Sequence, residues 1–135
     1  MVLPHDDEDL MTQSILIRHI NRLHHVYFDE NRQGNRIKSA AFSHSSGDPN
    51  YGMSVDLGQL LQEEGFPDDY MVPEGFGAVK LGVGDVRALG LPVGSDPRPH
   101  NRFHGQVWKV KETKRLKLQN LVIDWVVRIP EVDLR

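Results

Sequence analysis

Arg18, Ser43, Ser54 and His104 are the residues whose types could jointly do chemistry, and all fall in or beside strand-like segments. A plain sheet would carry apolar side chains there. Arginine grips an anionic group with a planar fork, histidine exchanges protons near neutral pH, and serine hydroxyls add hydrogen bonds. If the strands are neighbours, these groups, with His44 beside Ser43, converge on a nucleotide or a phosphodiester. The plainer alternative is that each lies on a solvated face or is a satisfied polar group within the sheet.

A second constellation is basic. Lys109, Lys111, Lys114, Arg115 and Lys117 lie within a short stretch interrupted by Glu112. Such a run suits an acidic protein surface or nucleic acid, and it also suits the wet start of a helix. Only Trp108 stands nearby as a stacking residue, and no groove-reading motif accompanies it.

Other patterns fail on geometry. His100 and His104 have i,i+4 spacing, but the chain around them reads as extended, which separates such positions by about 13 Å, too far for one ion. His24 and His25 are adjacent, so a strand would point them to opposite faces. The glycines at 82, 84 and 90 fit neither the dinucleotide fingerprint nor the phosphate loop, and Asp85 would repel a phosphate unless it capped a helix. No serine sits in a Gly-x-Ser-x-Gly elbow, and the carboxylate pairs at 63–64 and 68–69 read as solvated charges. No metal site and no cofactor is therefore expected.

The elements that must position the first constellation are short. Residues 14–20 and 37–43 read as strands, 45–50 as a polar loop, and 57–64 as a helix capped by Asp56 and ended by Gly65. Residues 76–81 suggest a strand, 85–90 a brief helix capped by Asp85, 92–101 a loop, and 103–110 a strand around Trp108. Residues 21–35 show no clean period. From 113 to 129 the apolar positions Leu118, Leu121, Val122, Trp125, Val126 and Ile129 repeat at helical spacing before Pro130, which predicts an amphipathic helix. The Val and Ile content of 121–129 leaves a strand open for that half.

Length and composition bound the rest. The 135 residues suit one domain, and 39% hydrophobic with 26% charged content suits a folded chain, at a mean hydropathy of -0.46. The absence of cysteine removes disulfides, thiolate catalysis and zinc sites built on Cys. A net charge of -3 provides no global attraction to nucleic acid or an anionic membrane. The start is acidic where a signal peptide would be basic, and no segment has membrane-spanning length, so the expected location is cytoplasmic.

The expected fold is α+β: one domain over 13–135 behind an acidic, flexible or loosely docked tail over 1–12, with a mostly antiparallel or mixed sheet under two or three helices. By elimination, the first functional expectation is a noncatalytic binding or accessory domain whose protein partner meets the basic run. The alternative is a small enzyme acting on a nucleotide or phosphodiester through Arg18, His104, Ser43 and Ser54. The third is a noncatalytic nucleic-acid-binding module.

Overall fold

Branched apolar runs set between turn formers favour short strands, because β-branched side chains pack well on a pleated surface. The computed structural model describes residues 2–129. Its strands are β1 (Ile15–Ile20), β2 (Val26–Asp29), β3 (Gly34–Ile37), β4 (Met53–Leu57), β5 (Gly77–Gly82), β6 (Val93–Ser95), β7 (His104–Val107) and β8 (Asp124–Val127). The helices are α1 (Gly58–Glu63), α2 (Val83–Ala88) and α3 (Arg115–Gln119). Six strands form one sheet in the order β6-β7-β4-β1-β5-β8, and β2 and β3 form a separate hairpin. Every pairing in the sheet is antiparallel, so the α+β expectation is met.

Alternation along the strands divides the sheet into two unlike faces. One face presents Leu16, Ile20, Met53, Val55, Val79, Leu81, Val93 and Val107 to the main core, closed by Phe42, Val83, Val86 and Leu118. The other buries Ile17 and Ala78 with Leu61 of α1 and Phe103 in a smaller cluster joined by Phe66 and Met71. That second layer is local, and polar residues occupy the face beyond it.

Several local expectations need correction. Residues 37–43 are not a strand: β3 ends at Ile37 and a 3₁₀ turn follows over Ser39–Phe42, burying Ala41 and Phe42. Asp56 is not a helix cap, since α1 begins after Leu57 without a side-chain cap bond. Asp85 does not cap α2 either; Gly82 is the cap residue and Asp85 sits in the first turn, where the helix dipole favours an acid. The loop expected at 92–101 contains β6.

The C-terminal amphipathic helix is present over a shorter span, with Leu118 buried beneath it. The second half of that segment takes the strand that its Val and Ile content left open, as β8 pairs with β5. Met1 and everything after Ile129, including Pro130 as a helix stop, lie outside the described residues.

The acidic N-terminal segment is hydrogen-bonded to the domain at several points. Asp7 donates its N–H to Val93 O at 2.8 Å, and Leu10 is buried. The Arg87 guanidinium donates to Asp6 Oδ1, Asp7 O and Leu10 O at 3.0, 2.7 and 2.9 Å. No helix among the described residues is long and apolar enough to cross a membrane.

Candidate functional site

Cross-strand register builds the polar face. Ile17 of β1 lies opposite Asp56 of β4, and Asp56 lies opposite His104 of β7; Ser54 lies opposite Gln106. Directly opposed residues share a face, as do residues two apart, so His19, Ser54, Asp56, His104 and Gln106 stand on one side of three adjacent strands.

Asp56 is the centre of this row. It is almost fully buried, and its Oδ2 lies 2.6 Å from His19 Nε2 while its Oδ1 accepts a 2.9 Å hydrogen bond from Asn101 Nδ2. Burial of a carboxylate is costly unless its oxygens are engaged, and here both are. With the carboxylate as acceptor, Nε2 of His19 carries the proton, and Nδ1 is the nitrogen left for exchange. The His19 side chain retains 27% exposure, so the ring is reachable from solvent.

His104 is held differently. Its Nδ1 is 2.8 Å from the carbonyl oxygen of Asp96, which can only accept, so Nδ1 carries the proton and Nε2 keeps its lone pair. Burial, with Arg98 adding to it, pushes the imidazole below its usual value, against an opposing pull from the Asp96 carbonyl. His104 is therefore a neutral base at neutral pH. Asp96 is itself held by Arg98 at 2.9 Å and by Gln106 at 2.7 Å, and these contacts keep its carboxyl below the usual range although burial alone would raise it.

Arg18 shares the core-facing side of β1 with Leu16 and Ile20 and lines the cleft where the pairing of β1 with β4 stops. β1 and β4 pair at only two positions, Leu16↔Leu57 and Ile17↔Asp56. Beyond them the Arg18 guanidinium takes over, donating to Ser54 O and Ala41 O at 2.9 Å and to Ser43 O at 3.5 Å. Burial pushes the guanidinium down to about 10, which leaves it charged at neutral pH. Its hydrogen-bond partners are carbonyl dipoles, not carboxylates, so its positive charge is not cancelled.

These groups meet at a cleft of about 350 Å³, within the usual range for small-molecule sites, lined by Arg18, His19, Ser54, Asp56, Arg98 and His104 among others. Three of the four expected residues, Arg18, Ser54 and His104, thus share one cleft. Ser43 does not line it: its hydroxyl donates to Ala40 O in the 3₁₀ turn, and only its carbonyl reaches Arg18. His44 is turned to Ser45 O and to the edge of Tyr51. The sequence reading missed His19, Asp56, Arg98 and Asn101, although polar residues alternating with apolar ones at 53–57 marked a face.

The basic run divides. Lys109, Lys111 and Lys114 line a separate groove of about 440 Å³ together with Tyr51 and Leu91. Arg115 and Lys117 lie on α3, outside that groove, and Arg115 Nε is buried without a hydrogen-bond partner. Among the described residues no three His, Asp or Glu side chains are grouped closely enough to hold a metal ion. Compared with known protein families, curated proteins and solved structures, this chain matches none.

Proposed function

We propose that the protein is a small enzyme acting on a nucleotide or a nucleic-acid phosphodiester by general acid–base catalysis in the His19/His104 cleft. One observation carries this reading over an accessory role: two histidines, each oriented by a different acceptor, flank Asp56 in a cleft that also holds Arg18. Orientation of an imidazole by a second group is what proton transfer at a fixed atom requires.

In this reading Arg18 and Arg98 receive the phosphate oxygens. His104 Nε2 takes the proton from the attacking hydroxyl or water as its oxygen bonds to phosphorus. His19, oriented through Nε2 by the Asp56 carboxylate, gives a proton from Nδ1 to the departing oxygen as the opposite P–O bond breaks. Two protons move and none is lost. Ser54, on the same face, supplies a hydrogen bond to the substrate.

The test is turnover of activated phosphodiesters, cyclic nucleotides and dinucleotides by the purified chain. His104→Asn keeps an amide donor for the Asp96 carbonyl but has no basic nitrogen, and its turnover falls by roughly 10²–10⁴-fold with the fold retained. Full activity in that variant, or no turnover of any phosphate ester by the unaltered chain, sinks the proposal.

A further inference from the structure

The cleft does not end at Arg98. That residue also lines a neighbouring depression of about 340 Å³, which passes Gln106 and Trp108 and reaches Asn50. Asn50 in turn lines the lysine groove. Three concavities are therefore neighbours, bordering on Arg98 and on Asn50, with Arg18 and Arg98 at one end and three lysines at the other.

The depression between them carries two carboxylates, of which Asp96 is paired with a cation and Asp48 only accepts a backbone N–H. Asp96 is held by Arg98 and Gln106, and Asp48 Oδ1 accepts the N–H of Asn50 at 2.8 Å. Two of the lysines are positioned: Lys114 Nζ donates to Leu89 O at 3.2 Å, and Lys111 Nζ stands 5.3 Å from the centre of the Tyr51 ring.

The lip of the groove is also built at a conformational cost. Tyr51 and Lys109 have φ of 54° and 65°, the left-handed region that bulky residues avoid. Two hydrogen bonds fasten the turn, Lys109 N–H to Asn50 O at 3.1 Å and Val110 N–H to Tyr51 O at 3.0 Å.

Resting on the phosphodiester reading of the cleft, we propose that the substrate is a single-stranded nucleic acid whose backbone runs from the lysine groove through the depression to the His19/His104 cleft. A mononucleotide would fill the cleft and leave the three lysines of the groove beyond its reach. A polyanion continues past it to the lysines, and cationic groups with an aromatic side chain are how single strands are held without sequence preference.

The test compares a labelled single strand of about twelve nucleotides, a length single-strand binders span, with a dinucleotide, using the full chain and the double substitution Lys109→Glu/Lys111→Glu. Both lysines are exposed and lie outside the catalytic cleft. Affinity for the twelve-mer falls at least tenfold, its log–log salt slope loses roughly 1.4 for two phosphate contacts, and dinucleotide turnover stays within twofold. Equal effects on both probes, or none on either, overturn the inference. Lysine-dependent capture of an acidic peptide with unchanged twelve-mer affinity assigns the groove to a protein and overturns it too. Lysine-dependent binding of the twelve-mer with no cleavage of any phosphodiester removes the catalytic reading and leaves the groove's ligand standing.

Discussion

The Nε2 of His19 lies 2.6 Å from Oδ2 of Asp56, across 37 residues of sequence, and Asn101 Nδ2 occupies the second carboxylate oxygen. This fixes the donor and acceptor pattern of the whole cluster: two donors converge on one acceptor-only group.

Asp56→Asn breaks that pattern with almost no change in shape. The new NH₂ either meets the Asn101 amide, donor against donor, or turns to His19 Nε2 and imposes the tautomer protonated at Nδ1. Stability falls by up to about 1–3 kcal/mol, and turnover falls at least about 10²-fold because His19 loses either its partner or its working tautomer. Adding Asn101→Asp restores one complementary acceptor and donor, and the Phe103 N–H keeps an oxygen to bond. The double variant regains thermal stability but not turnover, since the carboxylate no longer faces His19. Recovery of both would make Asp56 purely structural.

The pH dependence follows from His104. Its folded-state value lies below the usual 6.5, first because of burial and then because of Arg98. The native state thus binds the proton less readily than the unfolded chain. The contribution of His104 to stability is whole above about 6.5 and is lost as pH falls through the lowered value. His25 is depressed in the same direction by its own burial and by Arg18, His24 and Lys38, so the unaltered chain carries both losses. Denaturant melts between pH 7 and pH 4.5 show a shallower decline for His104→Asn. An unchanged decline would mean that His104 titrates normally.

The architecture was legible where it depended on local pattern. Branched and apolar runs marked β1 and β5, the composition around Trp108 marked β7, and Leu118 marked α3. The site was only half legible, because its centre is a matter of register: Asp56 sits where a helix cap is expected, just before Leu57 and the start of α1. Its actual partner on β1 is fixed by the pairing of positions 17 and 56, which no local signal encodes. Ser43 illustrates the reverse error. A branched-and-small run predicts a strand, but Ala40 and Ala41 let the chain coil into a 3₁₀ turn in which the hydroxyl is taken up by the Ala40 carbonyl.

Close packing at Gly105 gives a prediction independent of function. A Cβ there would lie 2.6 Å from Leu57 Cδ2 and 2.8 Å from the carbonyl oxygen of Gly94 on the adjacent strand. Leucine can shift, but a paired backbone carbonyl cannot without opening β6 from β7. Gly105→Ala destabilises by about 1–3 kcal/mol, seen as a melting temperature lower by several degrees. Gly65→Ala, by contrast, meets no atom within 4 Å, and its cost comes only from φ of +78°. A melting temperature unchanged by Gly105→Ala would mean that β6 and β7 are not packed as described.

Arg98 connects the base to its surroundings and gives the sharpest kinetic prediction. Its guanidinium bonds Asp96 Oδ2 at 3.1 and 2.9 Å, and its charge disfavours a proton on His104. Arg98→Gln removes that repulsion and leaves the Asp96 carboxylate, 3.5 Å from His104 Nδ1, held by Gln106 alone. Both changes favour the protonated imidazole, so the value for His104 rises. The acid limb of kcat/KM then moves to higher pH, while KM rises if Arg98 holds a substrate phosphate as proposed. A merely structural role for Arg98 would lower activity uniformly across pH. An acid limb that stays in place, measured on a folded variant, would separate Arg98 from the titration of His104.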